Sequence, residues 1–382
     1  MIESFVGRRV VVCAGTGGVG KTTVSAAIGI AAAASGLRTL VMTIDPARRL
    51  ANALGLPDFG NVEHEIPAEA LAPYGVELKA PLWVMMPDVK RTFDELVERY
   101  ARNDQERRSI LGNFIYKQFA TRLAGSLDYA AVEKLYEVYT SGRYDLIVLD
   151  TPPSQSVGDF LTAPNRVISF LEQDTVQWLI KPYLFAGRLS VKLLDVGSAL
   201  ISRSLRRLAG ADTLRAIAEF LVGFHGMFEG FRERSQRVRA LLASDEVAFA
   251  LVGTARASDR AALLRFRATL AQAGLATRAI VLNRTRPVPY PERDDTLVHD
   301  RVASALPAAA REPVLTALEE EAALAHEDIA ARDELSAAVG DVPVIALPEL
   351  PLDVHDLESL STLQRWFRAA PGHVDTVSGA GR

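Results

Sequence analysis

Seven short apolar runs punctuate the chain: Arg9–Cys13, Thr39–Ile44, Leu82–Met86, Asp145–Leu149, Val247–Gly253, Arg278–Leu282 and Val342–Leu347. Most are rich in Val and Ile and lack polar alternation. That is the pattern of strands buried on both faces of a parallel sheet. Between the first two runs, the alanine-rich stretch Thr22–Ser35 reads as a helix that stops at Gly36. Strand, glycine-rich loop, helix and strand in that order make one right-handed crossover. The pattern predicts an α/β fold built on a doubly wound, mostly parallel sheet.

Two segments are too long for simple crossovers. Residues 89–140 place Phe93, Leu96, Val97 and Tyr100 on one helical face. Residues 160–243 carry Ile217, Phe220, Leu221, Phe224, Phe228 and Phe231 at helical spacing. Both are expected to be inserts that form a helical subdomain capping one edge of the sheet. The core is then discontinuous, made of residues 1–88, 141–159 and 244–368, with a Gly- and Ser-containing disordered tail over 369–382. The acidic stretch Val314–Ala338 is expected to be a solvated crossover helix.

The chain has 382 residues, of which 49% are hydrophobic, enough for a large core. A net charge of -4 gives no ground for a nucleic-acid partner. The single cysteine, Cys13, excludes an internal disulfide and a four-cysteine metal site within one chain. Met1–Arg9 lack the apolar centre of a signal peptide, and no uninterrupted apolar run reaches the roughly 18 residues of a membrane span. The expected location is cytoplasmic, with a peripheral place at a membrane as a further option.

The strongest chemical signal is Gly15-Thr16-Gly17-Gly18-Val19-Gly20-Lys21-Thr22, which has the spacing G-x-x-x-x-G-K-[ST]. It follows a predicted strand and opens a predicted helix, the context this phosphate-binding loop requires. Glycines let the backbone wrap close to phosphate oxygens, and the helix N-terminus adds its positive end. Lys21 then faces the β- and γ-phosphates of ATP, and the Thr22 hydroxyl faces Mg²⁺. Thr23 completes the loop's contact set. A second acidic position is needed on a neighbouring strand, and Asp150 supplies it at the end of Asp145–Leu149. Asp150 would hold Mg²⁺ directly or through water. Asp45, at the end of Thr39–Ile44, is either a group that orients water for attack and assists at the metal or the start of an Asp-Pro turn.

Three segments together carry a family pattern: Gly15–Thr23, Thr43-Ile44-Asp45-Pro46-Ala47 and Asp150-Thr151-Pro152-Pro153-Ser154. They resemble the ArsA family of arsenite-pump ATPases, which includes factors that deliver tail-anchored membrane proteins. Leu123–Tyr129, Glu133-Lys134-Leu135 and Gly226–Arg232 extend the likeness to a bacterial branch of single-unit ArsA-like proteins. The resemblance implies that Asp45 positions the attacking water and that Asp150 opens the segment sensing the γ-phosphate. It further implies that Asn283 reads adenine and that Pro348 belongs to the adenine-binding loop. It implies a dimer, formed either with a second copy or with a paralogous ATPase.

The chain also departs from that family. The family's loop has a lysine at its second position that reaches the partner's nucleotide, and here that residue is Thr16. The switch I histidine of many members is replaced by Arg48. Arsenite-binding thiols and the Cys-x-x-Cys zinc pair are missing, so neither zinc nor an arsenite response is expected. Residues 178–208 are apolar and dotted with Lys and Arg, which suits either a packed subdomain or a groove for a hydrophobic or membrane-protein client. The function expected is a Mg-dependent ATPase whose nucleotide state moves the helical inserts. The alternative is a nucleotide-dependent scaffold or sensor with negligible turnover. An arsenite-pump subunit ranks below both.

Overall fold

The computed structural model describes residues 2–5, 7–44, 61–122, 126–151, 232–289, 295–351 and 356–368, with isolated positions 216, 217, 220, 230 and 354. Asp45, Pro152–Ser154, residues 178–208 and the tail over 369–382 lie outside the described residues.

The strands are β1 (Val10–Gly15), β2 (Thr39–Thr43), β3 (His64–Ile66), β4 (Leu82–Met85), β5 (Leu146–Asp150), β6 (Val247–Gly253), β7 (Thr277–Thr285) and β8 (Val344–Pro348). They form one sheet in the order β3-β4-β2-β5-β1-β6-β7-β8. Every pairing is parallel except β3 with β4. All seven apolar runs are strands. The edge strand β3 was not anticipated. Its three residues are too short a run to show a period, and its one buried side chain is Ile66.

The runs lack alternation because both faces are covered. Val11 and Cys13 pack into one core beneath α1 (Lys21–Ala34) and α9 (Leu357–Leu363). Val10 and Val12 pack into the opposite core, with Leu40, Met42, Ile147, Leu149 and Phe249. That second layer is closed by the C-terminal half of α5 (Ser126–Ser141), helical residues 232–242, α6 (Ala257–Gln272) and, after α7 (Asp295–Ala305), the end of α8 (Ala308–Val339). Each fully buried Val, Leu or Ile contributes about 1.5–3 kcal/mol. The doubly wound architecture expected from the sequence is therefore what the chain adopts.

The starts of two neighbouring central strands are tied outside the ladder. Asp145 accepts from the backbone N–H of Arg38 at 2.9 Å and from its guanidinium at 3.0 and 2.7 Å. These hydrogen bonds hold the Asp145 carboxyl below its ordinary range.

A third, smaller core lies among α2 (Val89–Tyr100), α3 (Asp104–Gly112), α4 (Phe114–Arg122) and the start of α5. Phe93, Leu96, Val97, Tyr116, Tyr129 and Phe220 fill it, with Tyr100 and Ile217 against its side. Phe93 and Tyr129 stack at 5.5 Å between ring centroids. The helical face expected for residues 89–100 is thus the buried one. Of the second stripe, Ile217 and Phe220 join this core, and Leu221, Phe224, Phe228 and Phe231 lie outside the described residues.

Beside that core, Glu133 is 2% exposed and takes a hydrogen bond from Arg234 Nε at 2.8 Å. Burial pushes its carboxyl up, although Arg234 and Arg99 oppose the shift. The Arg234 guanidinium also lies 4.3 Å from the centre of the Tyr136 ring.

The acidic helix α8 begins at Ala308, earlier than the expected Val314, and runs through Pro313. It is solvated on one side only. Ala322, Ala325, Asp328, Ala331, Leu335 and Val339 are buried. Among the described residues no helix is long and apolar enough to cross a membrane.

Candidate phosphate-binding site

The loop between β1 and α1 lies at the C-terminal edge of the sheet, where such folds bind ligands. Gly17 and Gly18 are exposed, and Val19 is buried as the loop's anchor. Gly20 caps α1 with φ 88°, a left-handed conformation that a side chain would strain. A Cβ there would also collide with the side-chain amide of Asn283. At the loop's other end, a Cβ on Gly15 would meet the Val252 carbonyl of β6. These two glycines therefore allow the close approach of the neighbouring strands β6 and β7.

Lys21 is 7% exposed, and its Nζ donates to the carbonyls of Gly15 at 3.1 Å and Thr16 at 2.9 Å. Its charge sits inside the ring of the loop. The Thr22 hydroxyl donates to Asp150 Oδ2 at 2.6 Å, and Thr43 donates to the same oxygen at 2.8 Å. Asp150 is 1% exposed at the tip of β5, so α1, β2 and β5 converge on one carboxylate. Thr43 stands in a segment quoted for its family pattern, but its contact with Asp150 was not foreseen. The oxygens of Thr22 and Asp150 are hard donors, and so small a protein set suits Mg²⁺, which keeps most of its water.

Beneath the loop lies Cys13, fully buried. Burial pushes its thiol up to about 12, with Asp150 adding to the shift and a hydrogen bond with Ser25 and the charge of Lys21 opposing it. It is a core residue, with none of the exposure that a thiol ligand needs.

Asn283 is 4% exposed, and its Nδ2 donates to the Val19 carbonyl at 2.9 Å. The pairing of β7 with β8 shifts register between Leu282 and Thr285, and Arg284 there has φ 57°. This irregularity accompanies a side chain beneath the loop at Asn283 and an exposed one at Arg284. Pro348 ends β8 opposite Thr285. Next to the loop, a cavity of about 400 Å³ is lined by Gly17–Val19, Arg256, Asp259, Arg284, Arg286, Asp328 and Glu349 among others. Asp328 accepts from the backbone N–H of Arg286 at 2.8 Å. Apart from the loop itself, sequence reasoning did not find these walls, because they come from four separate stretches without a shared motif.

The Thr16 hydroxyl donates to Asp259 Oδ1 at 3.2 Å, and Thr254 donates to Oδ2 at 2.6 Å. The structure thus brings together Gly15–Thr23, Asp150 and Asn283. Asp45 is outside the described residues. Ile44, just before it, is buried, and its N–H reaches the Asp150 carbonyl at 3.3 Å.

A protein of Aquifex aeolicus, provisionally named an arsenical pump-driving ATPase, is 26% identical over 190 residues, 48% of this chain and 43% of that one. An uncharacterised protein of Streptomyces coelicolor is 31% identical over 160 residues, 42% of this chain and 38% of its own length. The ATPase GET3 of Malassezia globosa is 28% identical over 153 residues, 40% and 41% of the two chains. The matched part thus spans less than half the length of each. A family model described as anion-transporting ATPase matches residues 8–302, a stretch that holds the loop, Asp150, Asp259 and Asn283. The chain belongs to the ArsA, or anion-transporting ATPase, family.

Proposed function

We propose that this chain binds Mg-ATP at the loop Gly15–Thr22 and hydrolyses the β–γ phosphoanhydride. The observation that carries this reading is the convergence of Thr22 and Thr43 on Asp150 beside the buried charge of Lys21. Lys21, already inside the loop, exchanges its two carbonyl partners for phosphate oxygens. Thr22 and Asp150 would hold Mg²⁺, whose positive charge offsets that of the phosphates when it is bound. Asp45, which follows Ile44 two residues after the end of β2, accepts the proton of the attacking water. Asn283 gives one amide N–H to Val19, which leaves a second N–H and the carbonyl oxygen as donor and acceptor for the edge of adenine. Pro348 flanks the base.

Nucleotide state then moves the helical inserts relative to the sheet, which exposes or covers a surface for a hydrophobic protein or membrane partner. Two units face each other, formed by a second copy or a paralogue. Asp150 links the loop to the segment leading into residues 160–243, and this continuity supports the coupling. A second reading, a nucleotide-dependent scaffold or sensor, draws support from Thr16. A neutral hydroxyl cannot offset transition-state charge as an ammonium does.

Calorimetry and steady-state phosphate release test the first reading. Lys21→Ala is expected to weaken ATP at least about a hundredfold, near 2.8 kcal/mol. Asp45→Asn should keep ATP binding and slow turnover about a hundredfold or more. Unaltered affinity in Lys21→Ala would remove the phosphate-loop assignment. Tight ATP binding with no phosphate release by the wild type would favour the sensor.

A further inference from the structure

We infer that Asp259 is a positioning residue for the phosphate loop, taking hold of the side chain at the loop's second position and keeping it for the loop of its own chain. This rests on the reading of Gly15–Thr22 as a phosphate site. Asp259 lies in the first turn of α6, and its two carboxylate oxygens each accept one hydroxyl. Oδ1 takes Thr16 at 3.2 Å and Oδ2 takes Thr254 at 2.6 Å. Thr254 is itself fixed, since its oxygen accepts the N–H of Arg256 at 3.3 Å. The Asp259 N–H donates to the Arg256 carbonyl at 3.1 Å. The turn after β6 is therefore closed on itself, and its carboxylate is aimed at the loop.

Two other contacts act on the same side. Gly15 abuts the Val252 carbonyl, and Val19 accepts from Asn283. With Asp259 they hold the start, the second residue and the fifth residue of the loop against β6, α6 and β7. A loop fixed before ligand arrives loses less conformational entropy on binding. The Thr16 hydroxyl is held within its own chain, by Asp259 at 3.2 Å. Position 16 therefore serves affinity in its own chain.

A double-mutant cycle reads this directly. Thr16→Val and the isosteric Asp259→Asn are each expected to raise the Kd for ADP about threefold to tenfold. The combined variant should go no further than the stronger single one, and Thr16→Ser should retain wild-type affinity. In nucleotide-free protein, amide exchange of Gly17–Gly20 should quicken by a similar factor in both single variants. Independent, multiplying effects on Kd, or a Thr16→Ser variant that behaves like Thr16→Val, would overturn the assignment. So would unchanged loop exchange in Asp259→Asn. If wild-type protein binds no ADP, the nucleotide reading fails, and the exchange arm still decides whether Asp259 orders the loop.

Discussion

Thr22 and Thr43 donate to the same oxygen of Asp150, at 2.6 and 2.8 Å. A carboxylate oxygen has room for both donors, and the arrangement holds the Thr22 oxygen against Asp150 at the tip of β5. Thr22→Val removes this group while filling the same space. ATP affinity without Mg²⁺ should stay within about twofold, and the strengthening that Mg²⁺ brings should disappear. Titrations with and without Mg²⁺ decide it. Equal strengthening in variant and wild type would take Thr22 out of the metal site.

Gly20 combines a left-handed backbone with contact against Asn283. Gly20→Ala should cost about 1–3 kcal/mol from the backbone alone, with more from the collision. Adding Asn283→Ala removes the obstacle and should return part of the loss. Urea unfolding measures both, and a double variant no more stable than Gly20→Ala would show that the contact is of no consequence.

Arg234, itself partly buried, lies 2.8 Å from the buried Glu133 carboxylate. Arg234→Met leaves the carboxylate without its nearest cation and should destabilise the fold by about 3–5 kcal/mol. Arg234→Met with Glu133→Leu should cost much less, because no charge is then stranded. Thermal melts of both variants test this. Equal losses would mean that the helix packing, and not the charge, carries the effect.

Asp145 is held below its ordinary range by Arg38, so its contribution is present above the unfolded value and lost as pH falls through the folded one. The stability gap between wild type and Asp145→Asn should be constant above about pH 5 and close below about pH 4. A gap that widens on acidification would contradict the assignment.

The central strands could be read from the chain because burial on both faces leaves unbroken apolar runs, as in Val10–Cys13 and Val247–Val252. β7 was read as ending at Leu282, yet it continues through Asn283 and Arg284 to Thr285. A polar residue there is buried because the loop's carbonyl satisfies it, and no local pattern announces a partner 264 residues away. The same holds for Thr16 and Asp259, 243 residues apart. Lys21, Thr22 and Asp150 were legible because their spacing and strand context are local. The cavity walls were not, since only the sheet order brings the ends of β6, β7 and β8 side by side.

Cys13 sits in the middle of β1, between β5 and β6, beneath the loop. With its thiol pushed up to about 12 and no exposed surface, it reacts with an alkylating agent only when the centre of the sheet opens. Where opening and closing outrun the reagent, the labelling rate divided by that of a free thiol is the opening equilibrium constant. A single natural thiol thus serves as a clock for the sheet, and any ligand that tightens the loop above it will slow that clock by the factor it adds to stability.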